Sequence, residues 1–225
     1  MDITLVDNDI KDLTFDVKEG DTLNLNLAAF KGFPNSNIVV KVSANGHFKG
    51  AFADFSKGEG KFVLNVILEG DGSSCDWHLS SLAANQDKKV FDTSVTHLAK
   101  HTSAEMSNYG ITMGESHLTF TGVSSITKGA IKTVTRQAAK IIVFDPLCDG
   151  RCSPVLKIDE NDVDASHAAI VGRLNEDHLF YLQSRGISLP VAKRLITLGY
   201  LKPIESYFAD QKLVAKIDGS IEEGI

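Results

Sequence analysis

Short apolar segments alternate with polar turn residues along the first three quarters of the chain. Between residues 22 and 27, leucines occupy every second position and Asn24 and Asn26 lie between them, so one face of a strand is apolar and the other polar. Similar segments recur at 38–42, 62–68, 117–120 and 141–144, separated by Gly, Asn, Asp or Ser clusters. The pattern predicts an all-β region that extends to about residue 165.

The type of β architecture remains open at this point. No repeat of fixed length and fixed residue identity is visible in the sequence. A solenoid does not require one, because each coil needs only periodic apolar positions that pack on the coils above and below. The pattern therefore favours a sandwich and a solenoid equally.

Helical spacing replaces the strand pattern after residue 172. Asn175 is expected to cap a first helix that ends at Gly186, and Ser188 a second helix that ends at Gly199. A third helix is expected to start at Pro203 and to run to residue 217. The predicted organisation is a β region over 1–172, a helical region over 173–217 and a frayed acidic tail over 218–225.

Composition and charge exclude several classes of protein. Hydrophobic residues make up 43% and charged residues 23% of the 225 positions, which is typical of a globular chain. The net charge of −6 provides no general attraction to nucleic acid or to anionic membrane surfaces. Three cysteines, no secretory signal at the start and no apolar run of 18 residues favour a cytoplasmic protein.

No nucleotide-binding motif is present in the sequence. The segment 56–61 (Ser-Lys-Gly-Glu-Gly-Lys) lacks the spacing and the following helix of a phosphate-binding loop, so we interpret it as a solvated turn. If ATP is part of this protein's function, another chain must hydrolyse it.

Two cysteines are candidate metal ligands. Cys148 and Cys152 lie four positions apart in a Gly-bearing segment, and thiolates suit zinc, copper(I) and iron–sulfur clusters. Only Cys75 remains, and its position near Trp77 favours a packing role, so four thiolates from one chain are impossible. Loop thiols without a ligand role are the favoured alternative.

Three histidines are candidate functional residues. His97 and His101 form an H-x-x-x-H pattern, which on a helix would place both imidazoles on one face. No Glu follows His97, so a zinc-protease site is excluded. Ordinary solvated or hydrogen-bonded histidines are expected instead. His167 has small neighbours that allow another subunit to approach, and its imidazole suits a ligand or proton carrier. A purely structural histidine is the alternative.

Several ordered motifs lie between residues 95 and 204. They are Thr96-His97, His101-Thr102-Ser103, Phe120-Thr121-Gly122, Gln137, Ser-Pro-Val-Leu-Lys-Ile at 153–158, Asp162-Val163, Ser-His-Ala-Ala-Ile-Val-Gly at 166–172, Leu-Phe-Tyr-Leu-Gln-Ser-Arg-Gly-Ile-Ser at 179–188, Ala192 and Gly-Tyr-Leu-Lys-Pro-Ile at 199–204. Together they resemble the core of the SufB/SufD family of iron–sulfur cluster assembly proteins. Residues 1–94 match that family only loosely.

The resemblance implies a fold and a set of partners. It implies a right-handed parallel β-helix followed by a small helical domain, which favours the solenoid over the sandwich. It also implies a scaffold without catalysis of its own, which pairs with SufB or with itself and binds the ATPase SufC through the helices. Phe180, Tyr181, Arg185 and Leu195 are the candidate partner-binding residues. No stably bound cofactor is expected, but a transient iron–sulfur cluster is expected at a subunit interface.

The histidine segment favours a SufD-like member. SufB resembles Glu-His-Glu-Ala at this place, whereas SufD resembles Cys-Ser-His-Gly-Ala, and this chain has Ser166, His167 and Ala169 in the matching positions. His167 is therefore the candidate interfacial cluster ligand, with Cys148 and Cys152 as weaker candidates. Ala165 replaces the cysteine, and the chain is expected to be a short form of the family. The alternatives are a β-helix enzyme acting on polysaccharide and an interaction module without cluster chemistry.

Overall fold

The computed structural model of the protein describes residues 1–32, 35–174 and 176–224. The strands are β1 (Asp2–Val6), β2 (Leu13–Val17), β3 (Thr22–Ala29), β4 (Ser36–Val42), β5 (His47–Asp54), β6 (Glu59–Leu68), β7 (Ser74–Ala83), β8 (Lys88–His97), β9 (Ser103–Thr112), β10 (His117–Ile126), β11 (Thr133–Val143), β12 (Asp149–Ile158) and β13 (Val163–Arg173). The helices are α1 (Glu176–Ser184), α2 (Leu189–Leu201) and α3 (Gln211–Glu223), with 3-10 turns at Asp7–Asp9 and Lys202–Tyr207.

The strands form two parallel sheets that face each other. One sheet has the order β1-β3-β5-β7-β9-β11-β13 and the other has the order β12-β10-β8-β6-β4-β2. Successive strands therefore alternate between the sheets, so that each coil of the chain adds one strand to each sheet. This is a β-solenoid, which confirms the fold class implied by the family resemblance and excludes the sandwich.

Coil length varies along the solenoid. Thr22 pairs with His47, which is 25 residues further along the chain, whereas Ser74 pairs with Ser103, which is 29 residues further. Stacking requires only that apolar residues stay in register between coils, so the turns are free to differ in length. For this reason the sequence shows no fixed repeat.

An apolar core fills the space between the two sheets. The leucines of β3 face inward and are buried, as the alternating pattern predicted, while Asn24 and Asn26 face outward. Aromatic rings from the two sheets pack together in the centre of this core: the Phe62 and Trp77 rings are stacked with their centroids 6.0 Å apart, and the Phe52 and Phe62 rings meet edge to face with their centroids 4.9 Å apart. This packing holds each coil in register with its neighbours.

The C-terminal helices lie against the outer face of the odd-numbered sheet. A second buried cluster joins small and apolar residues on that face to the helical region; its members include Ala28, Ala51, Ala53, Leu82, Ile111, Leu201, Ile204, Phe208, Leu213, Ile217 and Ile221. The alanines leave room for the helices to approach the strands. The inner face of this sheet thus packs on the core between the sheets, and part of its outer face is covered by the helical region.

The first two helices match the sequence prediction only in part. Gly186 has a φ of 84° just after α1, as a glycine that ends a helix should. The prediction that Gly199 ends the second helix was wrong: α2 continues to Leu201, whose side chain is fully buried. Burial of Leu201 outweighs the roughly 1 kcal/mol cost of glycine inside a helix. Ser188 precedes α2 but its side chain forms no capping hydrogen bond, and the predicted cap Asn175 lies outside the described residues.

The predicted third helix is divided into two elements. The 3-10 turn Lys202–Tyr207 ends at Phe208, which has extended backbone, and α3 begins after Asp210, whose carboxylate accepts the Lys212 N–H at 2.8 Å. Helix α3 then runs through residues 218–223, where a frayed tail was expected. That expectation was wrong because the fully buried Ile221 anchors the last turns to the sheet. Of the helices in the described ranges, none combines the length and apolarity needed to span a membrane.

Candidate functional site

The solenoid has an open end formed by β12 and β13. Strand β12 pairs with β10, and β13 pairs with β11; in the described part of the chain, the other hydrogen-bonding edge of both strands has no partner. Natural proteins usually protect such edges, because they provide a template for pairing with another strand. The open end is therefore a candidate site for a partner chain.

Core positions are exposed at this end. Ile158 pairs with Ile126 and Val171 with Ile141, so each continues an inward-facing apolar row. Ile126 and Ile141 are buried, whereas Ile158 is 40% exposed and Val171 is 44% exposed. In earlier coils the corresponding apolar positions are covered by the next coil, whereas in the last coil they are exposed. The end of the solenoid therefore resembles a domain core cut in half, as in the interfaces of permanent complexes.

His167 lies on this open end. It is on β13 opposite Gln137, in an inward-facing row, yet its side chain is exposed because no further coil covers it. Among the described residues the imidazole forms no hydrogen bond. A group that approaches the open end therefore has access to both ring nitrogens of His167.

The two cysteines lie in different elements. Cys152 is on β12 next to Phe120, points toward the core and is half-buried, and burial raises the pKa of its thiol to about 11. Cys148 precedes β12, and its thiol contacts the Gly114 carbonyl oxygen at 3.4 Å. Cys75 is buried in the core, as its predicted packing role requires, and burial raises the pKa of its thiol.

His167, Cys148 and Cys152 do not form a complete ligand set. Over the described ranges, no group of three or more His, Cys, Asp and Glu side chains is placed to hold a metal ion.

His97 and His101 have separate environments. His97 ends β8 and is fully buried, with its Nδ1 2.8 Å from the Thr102 hydroxyl, and burial lowers the pKa of the imidazole to about 4. His101 lies in the following turn with a φ of 56° and is exposed. Because the two are not on one helix, they share no face, and the expectation of ordinary solvated or hydrogen-bonded histidines holds.

Helices α1 and α2 carry a second exposed apolar surface. Phe180 is 74% exposed and Tyr181 56% exposed on α1, where the Arg185 guanidinium lies 5.3 Å from the Tyr181 ring centre. On α2, Ala192 faces the interior while Leu195 is 47% exposed. The four partner-binding candidates are thus all accessible. Large apolar side chains exposed on two neighbouring helices make this face a candidate docking surface.

Sequence reasoning missed the apolar residues of the open end. Ile158, Ile170 and Val171 looked like ordinary strand residues, and their pattern is the same as in buried strands. The one available signal was Ile170, an apolar residue at an outward-facing position of β13, where the preceding coil has Lys140.

One protein family and several known proteins resemble this chain. The family described as SUF system FeS cluster assembly, SufBD core domain, matches residues 29–200. The iron-sulfur cluster assembly protein SufD of Bacillus subtilis is 33% identical over 137 residues, which is 61% of this chain and 31% of that protein. SufD of Escherichia coli is 25% identical over 155 residues, covering 68% and 37% of the two chains.

A third relative is also similar to this chain over only part of its own length. A SufBD family protein of Mycobacterium leprae is 26% identical over 170 residues, which is 76% of this chain and 18% of the relative. The chain spans well under half the length of each of these relatives. The family match covers most of the solenoid together with α1 and α2, and hence both candidate surfaces. This chain belongs to the SufBD family of iron–sulfur cluster assembly proteins.

Proposed function

We propose that this chain is a SufD-like scaffold of the cytoplasmic SUF machinery, without catalytic turnover of its own. It pairs through the open end of the solenoid with SufB or with a second copy of itself. A SufC-type ATPase docks on α1 and α2, and an iron–sulfur cluster assembles transiently between the paired subunits. The observation that carries the proposal is the open end, where exposed core positions and strand edges without a partner among the described residues occur at the same end of the solenoid as His167.

Pairing through the open end is tested by a charge placed in the interface. Val171→Asp puts a carboxylate on an exposed core position, so burial against a partner becomes costly while the isolated fold is little affected. The variant should lose SufB or self-association when co-expressed proteins are analysed by size exclusion with light scattering. Leu98→Asp is the matched control, because Leu98 is 47% exposed in a turn outside the open end. Equal complex formation by both variants would contradict the proposed interface.

Docking of the ATPase is tested separately. Phe180→Ala and Leu195→Asp remove apolar contacts from the α1 and α2 surface and should reduce retention of SufC in a pull-down, with SufB or self-association unchanged. The same Leu98→Asp control should retain SufC. Undiminished retention of SufC by both surface variants would exclude this docking surface.

The ligand role of His167 is tested in the assembled complex. His167→Ala should lower the iron and sulfide content after anaerobic reconstitution, with no change in thermal unfolding because the side chain is exposed and forms no hydrogen bond with a described residue. His101→Asn is the matched control: it removes another exposed histidine, and asparagine tolerates the positive φ at that position. If the His167 variant keeps the full iron and sulfide content, the chain is an interaction module without cluster chemistry.

A further inference from the structure

Helix α1 is attached to the rest of the molecule less firmly than α2 and α3. Of its side chains that the structure describes, none is buried, and Phe180 and Tyr181 are among the most exposed apolar residues of the chain. Neither of the two buried apolar clusters includes a described residue of this helix. The helix packs chiefly on α2. Tertiary burial therefore contributes little to the stability of α1.

The other two helices are anchored to the solenoid. Leu201 of α2 is fully buried, and Lys193 Nζ lies 3.3 Å from Asp145 Oδ1 in the turn after β11. Helix α3 buries Ile217 and Ile221 completely against the outer face of the odd-numbered sheet. Both helices thus belong to the same folded unit as the strands.

The contacts that shape α1 are local. The Ser184 hydroxyl donates to the Tyr181 carbonyl oxygen at 2.7 Å, and the Ile187 N–H donates to the Leu182 carbonyl oxygen at 3.1 Å, just after Gly186. The helix has nine residues. Isolated helices shorter than about 12–15 residues are marginal in water, because the first turn is costly to form. Local contacts alone are therefore insufficient to keep α1 folded at all times.

We propose that the segment 179–184 of α1 unfolds and refolds locally in the free protein and becomes fully ordered when a partner covers its exposed face. The partner is the ATPase of the function proposed above, on which this coupling rests. Burial of Phe180 and Tyr181 in the complex offsets the loss of conformational entropy. Because ordering takes place on binding, the affinity for the ATPase depends on the helix propensity of α1.

Hydrogen exchange of the full chain, followed by mass spectrometry, tests local unfolding. In the free protein, amides in 179–184 should exchange within about tenfold of the rate of an unstructured peptide. Amides in 213–221 of α3 should exchange at least about a thousandfold more slowly. Addition of the ATPase should slow exchange in 179–184 at least about tenfold. Equal protection of the two segments in the free protein would overturn the proposal.

Two variants at one exposed position test the coupling. Gln183→Ala and Gln183→Gly differ in helix propensity at a residue outside the partner-binding candidates. The glycine variant should bind the ATPase about threefold more weakly than the alanine variant in calorimetric titrations, while their urea midpoints stay equal. Ala215→Gly is the matched control, because Ala215 is exposed on the anchored helix α3. It should lower the urea midpoint and leave the affinity for the ATPase unchanged.

The outcomes separate this proposal from the docking on which it rests. Equal affinities of the two Gln183 variants, with a lower urea midpoint for the glycine variant, would mean that α1 is folded before binding and would overturn the proposal. If the unaltered chain does not bind the ATPase, the docking and its coupling to α1 are both wrong. Hydrogen exchange of the free chain still decides in that case whether α1 unfolds locally.

Discussion

The ion pair between Lys89 and Asp54 is fully buried and joins the two sheets of the solenoid. Lys89 Nζ donates to Asp54 Oδ2 at 2.8 Å, to the Ser56 carbonyl oxygen at 2.6 Å and to the Leu82 carbonyl oxygen at 2.8 Å, so all three protons are used. Asp54 accepts further hydrogen bonds from Ser56 and from the Ser81 hydroxyl. Both charged side chains have an exposure of 0%.

Replacing Lys89 with methionine should destabilise the protein strongly. Methionine keeps most of the apolar length of the side chain but leaves the Asp54 carboxylate buried without its countercharge. Removal of one partner from a buried pair typically costs about 3–5 kcal/mol. The carbonyl groups of Ser56 and Leu82 also lose a donor, so we expect a loss in the free energy of unfolding near the upper end of that range.

Urea unfolding measures this loss, with the fluorescence of the buried Trp77 as the probe. Lys61→Met is the matched control: the Lys61–Asp92 pair is as short, at 2.6 Å, but the Lys61 side chain is 55% exposed. Exposed pairs contribute at most about 1 kcal/mol. If Lys89→Met and Lys61→Met reduce stability by similar small amounts, the reasoning from burial is refuted.

Two further predictions concern the stacking of the coils. Burial lowers the pKa of His97 to about 4 from its usual 6.5. Between these pH values the unfolded chain binds a proton at His97 that the folded chain does not bind. The free energy of unfolding should therefore fall by about 3 kcal/mol as the pH drops from 6.5 to 4. His97→Leu should remove this part of the pH dependence in urea titrations at several pH values. Gly70→Ala should destabilise by more than about 1 kcal/mol, because the new methyl group would lie 2.0 Å from the Ala44 backbone nitrogen of the neighbouring turn. Gly172→Ala, with open space around it, is the control and should be neutral in the same urea assay.

The helical region shows where local signals stop being sufficient. Gly186 ends α1 as predicted, because the change to a positive φ depends on the residue itself. Gly199 has the same identity but lies within α2, since Leu201 two residues later is buried against the rest of the molecule. Similarly, Ile221 continues α3 through an acidic segment whose composition suggested fraying. Tertiary burial decided both cases.

The candidate site shows the same division. The sequence identified His167 and the surface candidates on α1 and α2, because their residue types and neighbours are informative. The exposed core positions Ile158 and Val171 were not identified, because the same residue types are buried one coil earlier.

The sequence by itself determined the strands of the solenoid, the change to helices after residue 172 and the membership of the family. These properties depend on residues close together in the chain, whose alternation and turn chemistry act locally. Only the tertiary structure decided which apolar positions remain uncovered at the open end. It also joined Lys89 to Asp54, 35 positions apart. Such contacts depend on how coils of unequal length stack and on where the C-terminal helices lie, and neither is encoded in any single segment.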